Sequence, residues 1–247
     1  MGRIDTYRQE LRSSDAWMPL LLNASGLPGP RANLELLQAV VEEGSTARFL
    51  ELLTWTPDRA PTGTREEFLA ACGAAGLGAS VARGEEGLWP KLRALASDPR
   101  WRVREGVAMA LQRIGDDDVD RLLRGVMPWL GGGALEKRAV VAGLCEPRLL
   151  VTATAAIATL DVLDEITESL GVVPMGPKDE GRVLRQALGY GWSVAIAALP
   201  AEGKKRFARW IASTDPHILW IVRENLKKKR LERMDVTWVR EMRSRVG

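Results

Sequence analysis

The stretch SDPRWRVREGVAMALQRIG, residues 97–115, limits what this chain can become. Val103, Val107, Ala110, Leu111 and Ile114 fall on one stripe of a 3.6-residue period, while Arg102, Glu105 and Gln112 lie away from it. Pro99 suits the first turn of that helix, where its missing N–H costs nothing, and Asp98 is placed to cap it. Just ahead, LWPKLRALAS reads as a shorter helix with one apolar face. Two helices joined at an Asp-Pro turn make a hairpin, and a hairpin alone cannot cover its own stripe.

The pattern recurs. RLLRGVMPWLGGGALEKRAVVAGLCEP reads as helix, turn, helix, and a 33-residue shift carries Val107 onto Val140 and Leu111 onto Leu144. FARWIASTDPHILWIVRENLKKK repeats the junction, with Ser213, Asp215 and Pro216 answering Ser97, Asp98 and Pro99. The segments 30–53, 65–84, 147–169 and 179–199 are further helical stretches, and alternating strand patterns are nearly absent. Helix pairs of this period stack into a solenoid. The breaks GLPGP (26–30), TPDRAPTGT (56–64) and GVVPMGPKDEG (171–181) are too short to separate domains, so the sequence predicts one all-α array over 1–247.

Around Asp98, Val103, Arg104, Leu111 and Ile114 the chain resembles a HEAT repeat. The likeness covers 85–145 and, less closely, 200–230, where Arg223 falls two positions later than Arg104 implies. It implies a right-handed α–α superhelix with repeats at about 85–115, 117–146 and 200–230 and a C-terminal capping helix over 231–247. It also implies a ladder between repeats that uses Asp98 and Arg104. In size, helix pairing and Trp and Arg content the chain further resembles the bacterial DNA alkylation-repair glycosylases of the HEAT-like class. That likeness implies duplex DNA held in a basic concave groove. Those enzymes carry a Trp-Trp-Asp type motif, whereas here Trp101 is followed by Arg102 and Trp192 by Ser193, so no catalytic residue is assigned.

Other chemistry finds little footing. His217 is the single histidine and reads as a first-turn surface residue; with Cys72 and Cys145 far off in sequence it assembles no zinc site. The two cysteines read as buried thiols of a cytoplasmic chain. No apolar run reaches the ~18 residues of a membrane span, and MGRIDTYRQELRSSD is too polar for a signal peptide. GAAGLGAS (73–80) lacks the Gly-Lys-Ser/Thr of a phosphate loop and reads as small residues admitting a close neighbour. GDDDVD (115–120) fails the EF-hand spacing and reads as acids at a helix N-terminus. Neither cofactor nor metal is expected.

Charge is uneven. From Pro200 onward thirteen Lys and Arg face six Asp and Glu, although the whole chain is only +3. On a helix through WIVRENLKKKRLERMD, Arg223, Lys227 and Arg230 form a basic stripe, Leu219, Val222 and Leu226 an apolar one, and Glu224 pairs with Lys228. Arg240, Arg243 and Arg245 follow on the last helix, and Lys204, Lys205, Arg206 and Arg209 precede it. These cations make either a footprint for a phosphate backbone or the solvated cap of the array. Nine tryptophans mostly pack between helices; Trp101 and Trp192 are the two placed to stack on bases. The candidate nucleic-acid contacts are thus Arg223, Lys227, Arg230, Arg240, Arg243, Trp101 and Trp192. The partner is duplex DNA or, alternatively, a protein held by a non-catalytic scaffold. A small-molecule site in the trough ranks last.

Overall fold

The computed structural model describes residues 2–172 and 180–246, and among these every regular element is helical. The break read at 171–181 falls mostly outside the described residues. The chain divides into two compact units, 1–117 and 118–247.

Unit 1 holds α1 (Arg3–Ser13), α2 (Trp17–Ala24), α3 (Leu34–Glu43), α4 (Thr46–Leu52), α5 (Glu67–Ala82), α6 (Trp89–Leu95) and α7 (Trp101–Asp117). The stretch 30–53 is therefore two helices, divided at Gly44, whose N–H closes α3 on the Val40 carbonyl. Caps fix the starts: Asn33 Oδ1 accepts the Leu36 N–H at 3.0 Å, and Ser45 Oγ accepts that of Arg48 at 3.3 Å.

The glycine- and alanine-rich string lies in α5, which is buried from Glu67 to Val81 and has no solvent face. A helix apolar all round belongs inside. It packs on α2, α3, α4, α6 and α7, and its small residues set those distances. A Cβ on Gly73 would stand 2.8 Å from the Phe49 carbonyl, and one on Gly78 would overlap the Ala110 backbone of α7. The buried Glu67 accepts the Gly63 N–H at 2.7 Å and pairs with Arg102 at 3.2 Å, both through Oε2, which offsets part of the cost of burying its charge.

Unit 2 holds α8 (Val119–Val126), α9 (Ala134–Leu144), α10 (Ala153–Glu168), α11 (Glu180–Ala198), α12 (Pro200–Ile211), α13 (Pro216–Leu226), α14 (Lys229–Met234) and α15 (Val236–Val246). Helix α11 is central, touching α9, α10, α12, α13 and α14. Alternate helices meet in succession: α9 on α11, α11 on α13, α13 on α15, and likewise α8 on α10 and α10 on α12. In unit 1 the same order runs α1, α3, α5, α7. Asp215 caps α13 as the Asp-Pro junction suggests, accepting the His217 and Ile218 N–H groups at 2.7 and 3.2 Å.

The side chain of Asn225 on α13 is buried against α11. It accepts the Ser193 N–H at 2.8 Å and donates to the Leu188 and Ile221 carbonyls, both at 2.8 Å. A fully buried amide with three hydrogen bonds fixes the register of α13 on α11.

Several local expectations change. The helix through Arg223 ends at Leu226, and Lys228 starts a separate short helix, so Arg223, Lys227 and Arg230 do not share one helical stripe. The region 231–247 holds the rest of α14 and all of α15 rather than one capping helix. Of the aspartate run, Asp116 and Asp117 close α7 and only Asp118 caps a start, accepting the Arg121 N–H at 2.9 Å. That bond holds the Asp118 carboxyl below its usual range.

Candidate nucleic-acid interface

The C-terminal cations divide into those already occupied and those left open. Arg223 on α13 donates through Nε and Nη2 to the Val246 carbonyl at the end of α15, at 2.9 and 2.6 Å. Arg243 on α15 donates through Nη2 to the Leu226 carbonyl at the end of α13, at 2.6 Å, and to Glu232 at 2.7 Å. Each guanidinium thus closes the carbonyl end of the other's helix, where a cation also meets the negative end of the dipole. Lys227 pairs at 2.5 Å with Glu224, which replaces the expected Glu224–Lys228 pair.

The neighbouring helix is similarly matched. Lys204 pairs with Asp235 at 2.6 Å, which holds the Asp235 carboxyl below its usual range. Arg206 joins Glu202 at 2.8 Å, Asp164 at 3.3 Å and Asp161, and Arg209 joins Glu168 at 2.7 Å. The hydrogen bond from Arg206 lowers Glu202, and its carboxylate partners push the guanidinium itself up. Asp164 moves the opposite way because burial outweighs its bonds to Trp210 and Arg206.

Five cations remain: Lys228, Lys229, Arg230 and Arg233 in and beside α14, and Arg240 on α15. Among the described residues none has a carboxylate within 4.0 Å. All but Lys228 are exposed. Burial pushes the Cys145 thiol up to about 12 while Arg230 pulls the other way, which sets Arg230 within electrostatic reach of the end of α9. Of the residues expected as contacts, then, Arg230 and Arg240 are open, whereas Arg223, Lys227 and Arg243 are engaged. Lys228, Lys229 and Arg233 join Arg230 and Arg240; the unbroken run Lys227-Lys228-Lys229-Arg230 is the sequence signal for the first two, and Arg233 lies beyond it.

The tryptophans separate as sharply. Trp192 is fully buried, with ring centroids 5.4 Å from Phe207 and 6.4 Å from Trp210, and its Nε1 donates to Thr167 Oγ1 at 3.0 Å. The small residues beside it admit helix neighbours rather than a ligand: a Cβ on Gly191 would stand 2.8 Å from Val141. Trp192 therefore cannot stack on a base. Trp101, in unit 1, is 46% exposed, with the Arg102 guanidinium 4.7 Å from its ring centroid. Both flanking arginines are buried: Arg100 pairs with Asp98 at 2.8 Å, and Arg102 with Glu67. Arg104 donates to the Asp98 and Pro99 carbonyls.

His217 Nδ1 lies 2.7 Å from Arg185 Nη1, so the one histidine is held by a neighbouring guanidinium. In unit 1 a 250 Å³ groove is lined by Arg83 and Arg113 as well as Glu42, Asp116 and Asp117, a mixed set that selects neither charge. Among the described residues no cluster of three His, Cys, Asp or Glu could hold a metal, and no helix is long and apolar enough to cross a membrane. No family model matches the chain, and neither does any curated protein or solved structure.

Proposed function

We propose that this is a binding protein whose unit 2 engages the phosphate backbone of duplex DNA through Lys228, Lys229, Arg230, Arg233 and Arg240. The observation that carries the reading is that these five stay open while the other cations around them are matched by carboxylates or carbonyls. Residues 118–247 hold twenty-one Lys and Arg against sixteen Asp and Glu, whereas 1–117 hold fourteen against sixteen, so an anion is drawn to unit 2. The contacts between alternate helices support reading each unit as a stretch of HEAT-like α–α superhelix, a form that offers extended faces to long partners. Titrating a labelled mixed-sequence duplex with wild type and with Lys229→Glu/Arg233→Glu tests the idea. Loss of at least about tenfold in affinity supports it, and absence of any binding near ~50 mM salt removes it.

A second reading, a scaffold for a protein partner, draws on exposed apolar side chains of unit 2: Val151 at 80%, Met127 at 49% and Ile157 at 40%. A partner retained after nuclease treatment, and lost with Val151→Asp/Ile157→Asp, favours it.

A further inference from the structure

Resting on the duplex reading above, we infer that the unit 2 site is blind to bases: it takes the uninterrupted backbone of a double helix and neither reads nor extracts a base. Proteins that grip single strands or unstacked bases supply exposed aromatic faces beside their cations. Unit 2 has the cations without the faces. Trp129, Trp192, Trp210 and Phe207 are buried. Trp220 is half-buried: it lies against α11, where a Cβ on Gly189 would stand 2.9 Å from its ring, and it carries the Arg185 guanidinium 4.5 Å from its centroid. Trp238 is also half-buried, between Phe207, 6.5 Å away, and the Lys204 ammonium at 5.4 Å. Among the described residues of unit 2 no aromatic side chain is exposed, since Tyr190 too is half-buried.

The open groups are also of the wrong kind to read sequence. Base edges are read by side chains held in fixed directions within a groove. The open cations carry no protein partner that would fix their heads, and α14 is only six residues long. Long basic side chains of this kind follow charge. Arg223 and Arg243 enter as positioning residues, because their reciprocal bonds tie together the C-terminal ends of α13 and α15, the two helices that precede and follow α14 in the chain.

The test uses the full chain and three labelled probes of equal length: an intact duplex, the same duplex with one unpaired base, and a single strand. The inference expects the two duplexes to bind within about twofold of each other and the single strand more weakly, following charge density. Trp220→Phe and Trp238→Phe should leave all three affinities unchanged. Lys229→Glu/Arg233→Glu should weaken all three and flatten their salt dependence. Arg223→Lys should weaken binding without flattening it. Preference for the unpaired base or the single strand by about tenfold or more overturns the inference, as does a comparable loss in a Trp variant whose circular dichroism is intact. If no probe binds in dilute salt the duplex reading itself falls, an outcome distinct from binding with the wrong preference.

Discussion

The Arg223 guanidinium closes the carbonyl end of α15 by donating twice to the Val246 oxygen, and Arg243 returns the arrangement at Leu226 on α13. Two residues that look in sequence like phosphate contacts thus join the last long helices. Arg223→Ala and Arg243→Ala should each lower unfolding stability by about 1 kcal/mol, the order of a charge-assisted bond to a partly solvated carbonyl. Urea unfolding checks this. A cost indistinguishable from that of an open cation such as Arg240→Ala would show that the bonds hold nothing.

Asn225 should be far more sensitive. Asn225→Ala strips partners from the Ser193 N–H and the Leu188 carbonyl inside unit 2, and Asn225→Asp replaces both N–H donors by a buried charge. Each should cost about 2–3 kcal/mol, with the aspartate the worse of the two. Equilibrium denaturation of both variants settles the order.

Helix α5 tolerates no added carbon. Gly76→Ala drives a methyl into the Phe49 ring and Gly78→Ala into the Ala110 backbone, so each should destabilise by about 1–3 kcal/mol. Gly87→Ala, which meets open space, is the control and should be close to neutral. Thermal melts of the three variants suffice.

These positions show how far the sequence is legible. Helical periodicity and the Asp-Pro junctions reveal the all-helical class, the hairpins at 89–117 and 200–226 and the cap at Asp215, because period and capping are local. Which cations are open is not local. Arg223 meets a carbonyl 23 residues away and Arg206 an aspartate 45 away, and no spacing rule links those positions. The same holds for Trp192, which looks in sequence like a base-stacking residue yet is buried beside Gly191, whose missing side chain serves helix approach.

Acid should weaken unit 2 through its paired carboxylates. Glu202 and Asp235 lie below their unfolded values, so the stability they lend is present above those values and lost as pH falls through the folded ones. Asp164 is raised, so its contribution is present at low pH and lost as pH rises through its folded value. Asp164→Asn should therefore steepen the rise in stability between about pH 3 and 6, and Asp235→Asn should flatten it. The slopes of stability against pH measured in the two variants must shift in opposite directions from that of the wild type.

The most direct measurement of the central claim is the salt dependence of duplex binding in the wild-type chain. Five open cations on α14 and α15 allow a slope of log affinity against log salt of up to about −4.5, and Lys229→Glu/Arg230→Glu/Arg233→Glu should remove about three units of it. A wild-type slope near zero, or a triple variant with the slope unchanged, would contradict the claim that these side chains meet phosphates.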